Sequence, residues 1–218
     1  MKIKRNVIRK KPGRKKSIGQ SLVEFAVLLP ILIMMLSGLV EFGFLLNIYL
    51  DLIDAAREAA RFSANDDPVR LIDGTPTDLN PLFYSNAQTL TKESLKTSSD
   101  DRIDWLPPFD DCDNIDGDIV ISTFSILDGV IDTRYPTIYG DSGVSLCGHY
   151  FSEFTTAEVN ARLDAAAPNA GLVLVEIFVN YNHVLGLPWI RAFVPDPVLL
   201  HAYSFMPNTA VEPTPTPP

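Results

Sequence analysis

From Ser21 to Leu46 the chain offers 26 residues with two charges, Glu24 and Glu41. A helix needs about 20 apolar residues to cross roughly 30 Å of hydrocarbon, so this stretch is long enough to span a membrane. The nineteen residues before Gln20 hold nine of the eighteen Lys and Arg and no acid. Basic residues flanking an apolar span stay on the cytoplasmic side, which puts the N-terminus inside and residues 65–218 outside. Without that leader the chain would carry nine bases against twenty-seven acids, a net charge of −18. The leader is better explained by membrane retention than by nucleic-acid binding. A cleaved secretory signal also starts basic and turns apolar, but its core runs about 7–15 residues to a small-x-small site. Here the run is longer and passes directly into "EFGFLLNIYLDLIDAAREAARF".

The helix is expected to outlast the membrane. Ile48, Leu52, Ala55, Ala56, Ala59 and Phe62 recur at steps of three and four, with Asn47, Asp51, Asp54, Arg57, Glu58 and Arg61 between them. Pro68 in "ANDDP" stops it. Residues 20–64 therefore read as one transmembrane and spine helix.

Lipid penalises a carboxylate by about 2.5–3.5 kcal/mol at mid-bilayer, so Glu24 and Glu41 each need an interface, a partner or a reader. Glu41 lies about 26 Å beyond Glu24 along a helix axis; it reaches the outer interface and on this reading has no special role. Glu24 is too deep to be free surface and too shallow to be a mid-membrane relay. It is the fifth residue after Gly19, between a basic leader and an apolar helix.

That arrangement resembles the type IV prepilin class. Within the class, Gly19, Glu24-Phe25, Pro30 and the "AAREAAR" ending at Arg61 resemble the TadE-like pseudopilins of tight-adherence (Flp-type) pilus systems. The resemblance is strong over residues 19–62, weaker from "LVLVEIFVNYNHVLGLPWI" to "LLHAYSFM", and absent from residues 65–170. It implies a prepilin peptidase cutting between Gly19 and Gln20, then assembly with other pilin or pseudopilin subunits on a pilus assembly platform, with Glu24 and Phe25 in recognition and assembly. The chemistry fits: a residue without a side chain admits the backbone to a peptidase site, and the freed amine of Gln20 would have a carboxylate one turn away. Pro30 is either a local kink or compatible with a helix whose neighbours restore the lost bond.

For residues 65–210 the expectation is an α+β domain, with a small sheet and helices packed on it and on the spine, pilin-like in plan. Strands are predicted at 118–126 and 171–181, the second central because both of its faces are apolar. A helix is predicted from Asn80-Pro81 to about Lys96. Thr155 and Glu158 form a capping box with Phe154 and Val159 as its staple, opening a helix whose stripe runs Val159, Leu163, Ala166 to Pro168. Residues 211–218, "VEPTPTPP", read as an extended, solvated tail.

Other chemistry finds little support. "YGDSGVS" contains Gly-Asp-Ser-Gly, as in trypsin-like nucleophile motifs, but all three histidines follow Ser142, whereas that family's His precedes its Ser. "DDCDNIDGD" (110–118) has oxygen donors dense enough for calcium, but Ile115 breaks an EF-hand spacing; a solvated acidic loop is the alternative reading. Cys112 and Cys147, the only cysteines, fall outside the cytoplasm on this topology, where a disulfide persists; two buried thiols are the alternative. No metal site, cofactor motif or catalytic constellation is expected. The leading function is a minor pilin or pseudopilin. An unprocessed single-pass protein with a ligand- or envelope-binding outer domain is the alternative.

Overall fold

The structure, a computed structural model, describes residues 18–72, 75–77, 79–99, 112–113, 116–164 and 169–211. The leader up to residue 17, residues 110, 111, 114 and 115 of the acidic run, the end of the expected 155–168 helix and nearly all of the tail lie outside them. The chain divides into two units at Val40/Glu41.

In the first unit, helix α1 (Ile18–Ser63) runs through Pro30 and presents apolar side chains outward throughout. Leu22, Phe25, Leu32 and Met35 are each about three-fifths exposed or more. No packing inside the protein accounts for such a surface, whereas a lipid solvent would. By length and composition α1 is the one candidate membrane span among the described residues.

The second unit begins inside α1 at Glu41. From there the helix buries Ile48, Leu52, Ala55, Ala56, Ala59 and Ala60. Phe62 departs from the expected stripe: it is 46% exposed, with the Arg61 guanidinium over its ring, and Ser63 is buried instead. At about 100° per residue the buried positions centre between Ala59 and Ser63, which leaves Phe62 at their margin.

A short hairpin, β1 (Arg70–Ile72) and β2 (Thr75–Thr77), leads to α2 (Pro81–Ser99). Pro81 stands at the start of α2, where its missing N–H costs nothing. Phe83, Tyr84, Ala87 and Leu95 then join the α1 core. The main sheet is antiparallel, in the order β4 (Val130–Tyr135), β3 (Gly117–Leu127), β6 (Ala170–Tyr181), β7 (Val198–Pro207). The two-residue β5 (Val144–Ser145) shares β3's outer edge with β4. Both predicted strands are present as β3 and β6, and β6 is central, as expected from its two apolar faces.

One face of β6, Val173, Val175, Ile177, Val179 and Tyr181, belongs to the core built on α1 and α2. On the other face, Leu174 packs with Phe124, Phe154 and Val159 in a smaller cluster. The capping box forms: Thr155 Oγ1 accepts from Glu158 N–H, and Glu158 Oε2 accepts from Thr155 N–H. Its helix α3 (Thr156–Asn160) is, however, only five residues long. Asn160 Oδ1 accepts from Ile131 N–H at 2.7 Å, fixing that residue to β4. Arg162 turns back over the Phe154 ring at 4.7 Å. These tertiary contacts override the continuing apolar period at Leu163. The last helix, α4 (Pro188–Arg191), is a single turn in the β6–β7 connection. The architecture is a long N-terminal apolar helix followed by an α+β domain with an antiparallel sheet.

Candidate functional site

Gly19, Gln20, Glu24 and Phe25 occupy the first two turns of α1. Gly19 is exposed, with open space where a Cβ would stand. Glu24 is exposed, and Phe25 is 62% exposed. The first N–H groups of a helix have no partner within it, and the aligned peptide dipoles add positive potential there. A chain starting at Gln20 would place an ammonium at that end. The Glu24 carboxylate, about 6 Å along the axis, is the nearest acid in sequence.

Glu41 is different. The expectation that it needs no role is corrected: it is 5% exposed and its carboxylate is an acceptor for three donors. Tyr181 Oη donates at 2.6 Å, and the N–H groups of Val184 and Leu185 at 2.8 Å each. Burial and the neighbouring carboxylate together push the Tyr181 phenol well above its ordinary pKa. It remains a donor at any physiological pH. The signal was present in the sequence, since Glu41 lies two turns before Ile48 on the face that continues through Leu45. We expect Glu41→Leu to orphan three donors at about 1–3 kcal/mol each, loosening the segment after Tyr181. Limited proteolysis should then cut within residues 182–197, and an unchanged cleavage pattern would contradict this role.

The opposite face of the sheet holds a polar network. Asp118 is fully buried. Its Oδ1 accepts from the N–H groups of Ile119, Leu146 and Cys147, and its Oδ2 from Ser145 Oγ and the N–H groups of His149 and Tyr150, all at 2.6–3.1 Å. The solvated-loop reading of the acidic run therefore fails at Asp118, which organises the 145–150 turn. Next to it, Cys112 and Cys147 are joined, with Cα atoms 5.1 Å apart and a sequence separation of 35. Such a loop closure contributes about 4 kcal/mol in the chain-entropy model.

Asp141 of "YGDSGVS" accepts from Thr156 Oγ1 and N–H and from Arg134. The hydrogen bonds from Thr156 lower its pKa first, with the Arg134 charge adding to them. Gly143 has φ +71°, and a Cβ there would stand 2.6 Å from Ser122 Oγ. This motif is a turn packed onto the sheet. Arg134 also donates to the Phe154 carbonyl and to Ser122 Oγ. Burial pulls its pKa below the ordinary guanidinium value, against the opposing pull of Asp141 and Glu176.

The histidines serve separate elements. His149 and His183 donate backbone N–H groups to Asp118 and Asp196. The His201 ring lies between Glu153 Oε2 at 3.0 Å and Glu176 Oε1 at 3.1 Å, stacked on Phe178. Two different ring nitrogens face two different acids, so no common point exists for a cation. Among the described residues no group of three His, Cys, Asp or Glu could hold a metal.

An apolar, lipid-suited helix that carries on into the core of an α+β domain defines a helix-anchored protein of pilin-like plan. Residues 19–61 match the family model described as TadE-like protein, the family of tight-adherence pili. The match covers nearly all of α1 and stops before the sheet. No curated protein and no solved structure matches the chain. The similarity to TadE-like proteins is confined to the N-terminal helix, residues 19–61.

Proposed function

We propose that the chain is a minor pilin or pseudopilin, cut after Gly19 by a prepilin peptidase and incorporated into, or priming, a tight-adherence pilus or secretion machine. On this reading residues 1–19 are the leader, residues 21–46 hold the subunit in the cytoplasmic membrane, and residues 65–210 lie outside it. Other subunits and the assembly platform are the partners. The role is structural rather than enzymatic.

The observation that carries the proposal is the coincidence of the TadE-like match with the site geometry. The matched segment starts at Gly19, Glu24 follows five residues later on the same exposed helix end, and apolar side chains cover the turns beyond. A soluble domain has no use for such a surface. The bond after Gly19 lies within α1, so a peptidase must draw the first turn into extended form. That is the cheapest turn to unwind, because its N–H groups make no helical bonds.

Replacing Gly19 by Val tests the cut. An added Cβ meets nothing within 4 Å among the described residues, so folding should be unaffected while the peptidase is obstructed. Membrane fractions should then contain the full-length chain alone. A normally shortened product from Gly19→Val would contradict processing at this bond.

A further inference from the structure

The connection from β6 to β7 is a built excursion. Asp196 closes its neck, accepting from His183 N–H at 3.1 Å and pairing with the Arg191 guanidinium at 2.7 Å. Inside the neck, Pro188 starts α4, and the N–H groups of Ile190, Arg191, Ala192, Phe193 and Val194 bond back to carbonyls of residues 187–190. The twelve residues 184–195, "VLGLPWIRAFVP", contain one charge, Arg191. Yet four apolar side chains of this ordered loop are exposed, Phe193 to 86% and Val184, Leu185 and Val194 to 38–40%, while Leu187, Trp189 and Ile190 are half-buried. An exposed apolar cluster on an ordered segment marks a contact with something else.

The anchor at Glu41 indicates what that is. Val184 and Leu185 donate to Glu41, so the excursion starts at the level of that helical turn. A helix entering the bilayer at Ser21 has risen about 30 Å by that turn. Beyond it α1 still shows Phe42, Leu46 and Leu50 outward, each 41–60% exposed, and its next charge is Asp51. The outer edge of the lipid therefore lies between Glu41 and Asp51, level with the excursion or above it. Trp and Tyr rings favour this depth, and Trp189 sits at the centre of the loop. We infer that residues 184–194 are a second membrane contact, seated in the outer interfacial layer of a phospholipid bilayer with Phe193 and Trp189 as its apolar anchors. Two points of attachment, helix and loop, would limit rotation of the domain about α1. This inference rests on the reading that α1 spans the membrane.

The test uses the full chain with Trp105→Phe, which leaves Trp189 as the only tryptophan. It is reconstituted at low protein-to-lipid ratio in phosphatidylcholine and phosphatidylglycerol vesicles, with plain or brominated acyl chains. Brominated chains should remove about half of the Trp189 emission, shallow bromines more than deep ones, as befits an interfacial ring. Adding Phe193→Asp, at a side chain too exposed to support the fold, should restore most of it. Equal emission in plain and brominated vesicles would overturn the inference. So would emission that ignores bromine and changes with protein-to-lipid ratio, which would assign the loop to a second copy. A companion chain with both native tryptophans replaced by Phe and Leu32→Trp added reports the span through deep bromines. If the Leu32→Trp emission is quenched while Trp189 is not, only the loop contact fails; if neither is quenched, the spanning reading falls and the loop contact with it.

Discussion

Asp118→Asn is expected to destabilise the domain by about 3–5 kcal/mol, a large fraction of an ordinary domain's total stability. The side chain keeps its shape, so packing is not at issue. One carboxylate oxygen becomes an NH2 group facing three donors, of which Leu146 N–H keeps a second acceptor in the Ile119 carbonyl at 2.9 Å. Whichever way the amide turns, either the Ile119, Leu146 and Cys147 N–H groups or the Ser145, His149 and Tyr150 set loses its partner. Denaturant unfolding of detergent-solubilised protein measures the loss, and amide exchange across residues 145–150 locates it. A change below about 1 kcal/mol would mean that these donors find water, and that the turn is held by the Cys112–Cys147 bond and not by the acid.

The second large effect concerns assembly. Glu24→Leu should insert and be cut after Gly19 as before, because the leader, the scissile residue and the apolar helix are unchanged, and insertion improves slightly when an acid leaves the span. What should fail is joining to other subunits. If Glu24 partners an amine created by cleavage, its loss leaves a buried cation uncompensated at the contact, at a cost of about 3–5 kcal/mol, enough to lower association by about two to nearly four orders of magnitude. Crosslinking to other pilus components and counts of surface pili are the readouts. Normal piliation with Glu24→Leu would remove the assembly role. Glu41, the other acid of residues 21–46, does not serve as a control, because its loss disturbs the domain itself.

The contrast between these acids shows what a sequence can and cannot disclose. The long helix, strands β3 and β6, helix α2 and the Thr155–Glu158 capping box are local in origin: each follows from periodicity, turn chemistry or capping within a few residues. The roles of Glu41 and Asp118 are not legible locally, because their partners lie 140 residues and about 30 residues along the chain. Glu41 does sit on the buried stripe two turns before Ile48, but its acid character outweighs position in a local reading. Asp118 was hidden in an acidic run whose average points to solvent. Strand β7, "VLLHAYSFMP", alternates, yet its inward residues include Ala202 and Ser204, too small and polar to announce a buried face. Strand β4 is an edge with polar Asp132 and Thr133, and it forms because β3 offers an unpaired ladder beside it. The short α3 shows the reverse: an apolar period that continued in sequence was cut off by Asn160 pairing with β4.

The Gly19–Glu24 spacing was fully legible, since it is a matter of position along one helix, and the TadE-like match begins at that glycine. Its meaning depends on one covalent event. Edman or mass-spectrometric sequencing of the N-terminus of the membrane-bound protein, taken from cells that carry the pilus machinery, tests that event directly. The account predicts a chain that begins at Gln20, whereas a mature protein that still begins at the leader would contradict it.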